Sequence, residues 1–284
     1  MSEFEGKTVL VTGASRGIGL ATAQHFAGLG SRVGLVASTA DGVSRAAEGL
    51  PPGSAHAVAA DLTDPAECAR AVAEVEAALG PVDVLVSCAG ALRRDFVEDV
   101  TPADFEHSYR LHAGAGLWLT QAVLGGMRDR GYGRIVLVSS ELGLMGGPSY
   151  TSYCTSKWAL VGLAEVLHHE LAGSGVRACA VCPGDVRTDQ LREEHEWGPT
   201  AGTTYEKAMD PARVAAAIAR AAAGRRAVVV IDRPHMRLVF NLLAGPRRIR
   251  MKIIHDAFKG LLAERRRPPS PSPDAAAASS DLPG

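Results

Sequence analysis

Three side chains could do chemistry together: Tyr153, Lys157 four residues on, and Ser140 thirteen residues upstream. A phenol beside an ammonium is a route to proton transfer near neutral pH. The positive charge favours the phenolate, whose ordinary pKa is ~10. On a helix, positions i and i+4 share a face. Residues 153–160 contain no Gly or Pro and lead into an apolar-periodic run, so a helix is predicted there. Taken alone, the pair reads as a Tyr and a Lys on a solvated helix face. What turns the reading towards catalysis lies elsewhere in the chain.

The first such feature is a glycine turn. Gly13, Gly17 and Gly19 fall between a predicted strand, 8–12, and a predicted helix running to about Leu29. Glycines let the backbone approach a pyrophosphate, and a helix N-terminus supplies unpaired N–H groups and a positive dipole end. A lone glycine triplet is also what any tight turn needs. This one occupies the first strand-to-helix turn, where a dinucleotide fold requires it. Further strands are predicted at 32–37, 55–60, 82–86, 134–138, 176–181 and 227–231. Helices are predicted at 64–79, with Asp64 as cap and Pro65 in the first turn, and at 103–130, 153–172 and 211–223. The alternation implies right-handed βαβ units, and hence an α/β fold with a parallel sheet covered by helices on both faces. Residues 187–210 read as a long irregular stretch of the kind that forms lids.

Composition narrows the classes. The 284 residues are 46% hydrophobic with net charge −1, enough for a sizeable core and unlike a general nucleic-acid binder. Five scattered cysteines give no disulfide framework, and the N-terminus has no apolar leader, so a cytoplasmic protein is expected. No metal site is expected. Cys179 and Cys182 lie on a predicted strand, where i and i+3 point to opposite faces, and His168-His169 have no suitably spaced partners. Three segments are expected: an α/β domain at 1–232, a basic amphipathic helical extension at 233–267, and a disordered Pro/Ser/Ala-rich tail at 268–284. The extension has ten Lys/Arg against Asp256 and Glu264. Packing on the body or on a partner subunit is favoured for it, with peripheral membrane contact through 235–267 as the alternative.

Charge also bears on the nucleotide. NAD enzymes tend to place an acid at the end of the second strand. Here that end reads Val36-Ala37-Ser38-Thr39, while Arg16 sits in the glycine turn. Both points favour NADP(H) over NAD(H), with Asp41 near enough to keep NAD(H) open.

Thr12-Gly13-Ala14-Ser15-Arg16-Gly17-Ile18-Gly19, Ser140 and Tyr153-x-x-x-Lys157 together resemble the short-chain dehydrogenase/reductase superfamily. Asp61, Ala89-Gly90, Pro183-Gly184 and Thr188 follow in order, so the resemblance covers about 6–232 and implies a doubly wound, Rossmann-like α/β fold of about seven parallel strands with helices on both faces. It implies that Tyr153 gives or takes the proton, Lys157 holds the nicotinamide ribose and lowers the Tyr153 pKa, and Ser140, rather than Ser139, binds the substrate oxygen. It further implies nucleotide contacts at Gly13, Ser15, Arg16, Gly17, Ile18, Gly19, Ser38, Asp61, Leu62, Ala89, Gly90, Tyr153, Lys157, Pro183, Gly184, Val186 and Thr188. The chain departs from the pattern in places. Ser87-Cys88 replaces a usual Asn pair, Cys182 another Asn, and Asp185 is an unusual charge. His112 stands where an Asn usually joins a proton relay, and is taken as a candidate fourth catalytic residue. The expected activity is interconversion of a ketone and a secondary alcohol on an apolar small molecule, with Leu142, Leu144, Met145 and Trp197 flanking the cleft. Alternatives are atypical or non-redox chemistry in a biosynthetic pathway, or a nucleotide-binding regulatory protein. A homodimer through 103–130 and 153–172 is implied, with a tetramer open.

Overall fold

The computed structural model describes residues 2–196 and 204–232. The extension and tail anticipated beyond 232, and Trp197, lie outside them. Seven parallel strands form one sheet: β1 (Thr8–Thr12), β2 (Arg32–Ala37), β3 (Ala55–Ala59), β4 (Val84–Ser87), β5 (Gly133–Val138), β6 (Val176–Pro183) and β7 (Val228–Ile231). Their spatial order is β3-β2-β1-β4-β5-β6-β7. The order reverses between β1 and β4, and the crevice beyond the strand ends there is where such sheets bind ligands. Eight helices connect them among the described residues: α1 (Gly17–Gly28), α2 (Ala40–Glu48), α3 (Pro65–Leu79), α4 (Pro102–Tyr109), α5 (Ala115–Asp129), α6 (Thr151–Glu170), α7 (Asp189–Glu196) and α8 (Pro211–Ala223).

The strands are apolar on both faces because helices cover both. Val9, Val11, Val84, Val86, Val136 and Val138 pack on one side with Phe26, Val214 and Ile218. Leu10, Leu85, Ile135 and Leu137 pack on the other with Val75, Leu119 and Leu160. Cys179 and Cys182 fall in these two opposite layers, buried and unpaired, as strand geometry requires. Three helices start on the same local device, a capping side chain followed by proline. Asp64 accepts from Ala66 N–H at 2.8 Å, Thr101 from Asp104 N–H at 3.2 Å and Asp210 from Ala212 N–H at 2.8 Å.

Four elements differ from expectation. The strand expected at 82–86 runs Val84–Ser87. The helix α2 has no counterpart among the predicted elements. It is short, buries only Val43 and Ala46, and carries Gly42 in its interior. A Cβ at Gly42 would lie 2.7 Å from Thr39 Oγ1, so close packing rather than periodicity explains that glycine. The single helix expected at 103–130 is α4 and α5 joined by a π-helical turn at Arg110–Gly114. The stretch 187–210 is partly regular: it contains α7 and a 3₁₀ turn at Tyr205–Lys207. No helix among the described residues is long and apolar enough to cross a membrane.

Candidate active site

The C-terminal ends of the strands enclose a cleft of about 800 Å³. Every residue expected at the nucleotide lines it, as do Ser140, Tyr153 and Lys157. At one end lies the glycine turn. Gly13 and Gly17 have φ of +64° and +58°, values that favour glycine. A Cβ on Gly13 would sit 2.9 Å from Ala89 Cα, and one on Gly19 would strike the Gly13 carbonyl oxygen. Thr12 Oγ1 accepts the N–H groups of Cys88 and Ala89, each at 3.0 Å, and so ties the end of β1 to the loop after β4. That role of Thr12 is not legible in the local pattern. The first turn of α1 has neither a side-chain cap nor an acid, leaving its N–H groups for an anionic ligand. These features fit a dinucleotide pyrophosphate.

The ribose side is more mixed. Ser38 lines the cleft after β2, whereas Asp41 sits in the first turn of α2 and does not. Arg16 lines the cleft, and its guanidinium pairs with Glu193 of α7 at 3.3 Å, both exposed. Asp61 Oδ1 accepts from Thr63 N–H at 2.9 Å and from Thr63 Oγ1 at 2.8 Å, which holds its carboxyl below the usual range. Thr188 Oγ1 accepts from Leu191 N–H at 3.3 Å and so helps to start α7.

At the other end, α6 carries Tyr153 and Lys157. Its N-terminus is anchored by Asp95, whose carboxylate accepts from Ser152 N–H at 3.3 Å and Ser152 Oγ at 3.0 Å. The bonds of Asp95 span 57 residues, and no sequence motif announced them. Burial pushes the Tyr153 phenol well above its ordinary range, with the nearby Ser140 hydroxyl acting in the opposite sense. Ser139 is turned away: its Oγ donates to the Lys157 carbonyl at 2.8 Å. Lys157 is 4% exposed, and burial lowers its ammonium to about 8. Its Nζ donates to the Val138 carbonyl at 3.0 Å and lies 5.6 Å from the Tyr153 ring centroid. In this cleft desolvation governs the phenol, and the lowering of its pKa anticipated from Lys157 is not what dominates.

His112 sits in the π-helical turn, 1% exposed, with its ring edge-on to Tyr153 at 5.6 Å between centroids. It does not line the cleft. Nε2 accepts the Ala91 N–H at 3.2 Å, and Nδ1 lies 2.8 Å from Ser156 Oγ. A nitrogen that accepts an N–H carries no proton, so Nδ1 is the protonated one and donates to Ser156. Burial, then the Lys157 charge, hold His112 well below its ordinary pKa and therefore neutral. Both ring nitrogens are thus engaged, which makes the side chain a clamp between the loop after β4 and α6. His112→Phe is expected to lower kcat about tenfold through displacement of these elements, while His112→Asn, able to keep one of the two bonds, loses less. A ring that itself relays protons would instead shift the pH profile in both variants.

Of the apolar residues expected at the cleft, Leu142 and Met145 line it, with Leu92 and Tyr150; Leu144 packs into the core instead.

The chain belongs to the short-chain dehydrogenase family, whose model, described as short chain dehydrogenase, matches residues 7–199. Among curated proteins it is similar to oxidoreductase UcpA of Salmonella typhimurium, 39% identical over 193 residues, or 66% of this chain and 72% of that one. It is also similar to 3-oxoacyl-[acyl-carrier-protein] reductase FabG of Escherichia coli, 32% identical over 189 residues, or 66% of this chain and 77% of that one. Levodione reductase, of known structure, superposes with a TM-score of 0.74 at 24% identity, covering 81% of this chain and 97% of that one, and shares the fold. The protein is therefore an oxidoreductase of this family that uses a nicotinamide dinucleotide.

Proposed function

We propose that this chain is an NADP(H)-dependent oxidoreductase that interconverts a ketone and a secondary alcohol on a largely apolar small molecule. The observation that carries the reading is the convergence of two hydroxyls and an ammonium, from Ser140, Tyr153 and Lys157, in the cleft that also holds the glycine turn.

The bound dinucleotide supplies or accepts the hydride. The chain's own residues handle the oxygen. Ser140 and Tyr153 hydroxyls hold the carbonyl oxygen, and Tyr153 passes its proton to that oxygen as negative charge develops. A phenol that burial keeps protonated suits the donor role in reduction. Lys157 supplies fixed positive charge beside the phenol and donors for a ribose hydroxyl. Leu92, Leu142 and Met145 pack with Tyr150 and Tyr153 as the apolar wall for the substrate.

Preference for NADP(H) is supported by Arg16 at the cleft, Ser38 at the end of β2 and the position of Asp41 outside the lining. Titration of protein fluorescence is expected to show NADPH binding about tenfold more tightly than NADH, with Arg16→Ala removing most of the difference. Equal affinities in the unsubstituted protein sink the charge argument.

The protein acts in the cytoplasm, a reading supported by five free cysteines among the described residues. It pairs with a second copy of itself through α4, α5 and α6. That pairing is supported by large apolar side chains exposed on those helices, namely Phe105 and Tyr109, which stack, with Leu117, Trp158 and Val166.

A further inference from the structure

We infer that Glu194 is the specificity residue of this cleft, selecting ketones that carry a hydrogen-bond donor, hydroxyl or ammonium, over ketones that carry a carboxylate. The inference rests on the oxidoreductase reading and deepens it by naming the second group of the substrate.

The helix α7 sets the geometry. Residues 190 and 194 are one turn apart, so they share a face, and both line the cleft. Gln190 and Tyr153 both line the cleft, and the Gln190 side chain is close enough to the phenol to act on its pKa, which puts this face of α7 at the reacting end. One turn further, Glu194 Oε1 accepts a hydrogen bond from the Tyr150 hydroxyl. Tyr150 is 3% exposed and fixed in the wall of the cleft, so it fixes that carboxylate too.

Tyr150 occupies one oxygen of Glu194. The other has no hydrogen-bond or ion-pair partner among the described residues. Arg94 attracts this carboxylate, but its guanidinium bonds Ser149 Oγ at 3.4 Å and does not line the cleft. Asp185, which does line it, adds negative potential. A carboxylate oxygen accepts hydrogen bonds only. A hydroxyl or ammonium placed there is bound and oriented; a second carboxylate meets a like charge, while Arg16 and Lys157 of the lining are engaged with Glu193 and the Val138 carbonyl. The substrate that fits has an apolar body against Leu92, Leu142 and Met145, a carbonyl at Ser140 and Tyr153, and a donor group at Glu194.

The test uses four acetophenones that differ only in the para group: aminomethyl, hydroxymethyl, methyl and carboxylate. Loss of NADPH absorbance gives kcat/KM for each with the unsubstituted protein, Glu194→Gln and Glu194→Lys. The unsubstituted protein is expected to favour aminomethyl and hydroxymethyl over carboxylate by about tenfold or more. Glu194→Gln should cut the ratio of aminomethyl to methyl by about tenfold, because it removes the charge and keeps the shape. Glu194→Lys should raise the carboxylate above the aminomethyl ketone. If all four ratios stay the same in both variants, Glu194 only tethers α7 to Tyr150 and the inference is overturned. A native preference for the carboxylate overturns it as well. Turnover of none of the four, with NADPH still bound in a fluorescence titration, overturns the inference and leaves the oxidoreductase reading standing, and equal turnover of all four overturns the inference as well.

Discussion

Replacing Tyr153 with Phe lowers kcat for ketone reduction by about 10²–10⁴, the usual loss when a positioned general acid is removed. The substitution deletes one oxygen from a side chain that is 7% exposed and otherwise packed with Tyr150, Cys154, Leu142 and Met145. The ring stays, so the fold is expected to stay. Ser140 still offers a donor to the carbonyl oxygen. Steady-state kinetics give the loss, and thermal unfolding with nucleotide titration on the same sample separates chemistry from folding. Unchanged turnover with the true substrate removes Tyr153 from the mechanism.

Lys157→Met is expected to abolish most activity and yet make the protein more stable at pH 7. The ammonium is buried, and its pKa falls from the model-compound 10.5 to about 8. That displacement corresponds to a folding cost on the order of 3 kcal/mol while both folded and unfolded chains are protonated. Below about pH 8 the cost is present in full. Between about 8 and 10.5 the folded state has released the proton and the unfolded state still holds it, so raising the pH relieves the cost. Above that window it is gone. Urea denaturation should therefore show Lys157→Met more stable than the parent by roughly 1–3 kcal/mol at pH 7, with the gap closing as pH rises through the window. The same titration bears on rate. Reduction is expected to slow as pH rises through about 8, because the ammonium beside the phenol is lost. A less stable Lys157→Met at pH 7 indicates that the charge is stabilising, against the burial argument. The lysine is retained at a folding cost that only a functional role explains.

Much of this site could be read along the chain because it is built from local devices. The glycine turn needs positive φ at Gly13 and Gly17, and it occurs between a five-residue apolar strand and a helix. Tyr153 and Lys157 share a helix face because four residues make about one turn. Capped Asp-Pro and Thr-Pro pairs mark α3, α4 and α8 in the same way. Elements whose reason is not local were misread. Gly42 hid α2, since its glycine answers to Thr39 and not to helix propensity. The π-helical turn at Arg110–Gly114 interrupts a continuous helical pattern without any proline or composition change to mark it. The segment after β6 looked irregular because α7 is eight mostly polar residues burying only Leu191.

The sequence by itself determined the chemistry available: a phenol, an ammonium and a hydroxyl on a parallel α/β frame with a phosphate-binding turn. Periodicity and turn residues suffice for that, since each acts over one helical turn or one strand. The tertiary structure alone decided how those groups are held and what faces them. His112 meets Ser156 across 44 residues, Asp95 meets Ser152 across 57, and Arg16 meets Glu193 across 177. Such pairs come from packing helices onto a sheet, and no local pattern encodes them. They decide that both ring nitrogens of the histidine are bonded, that the phenol is buried, and that a glutamate lines the cleft.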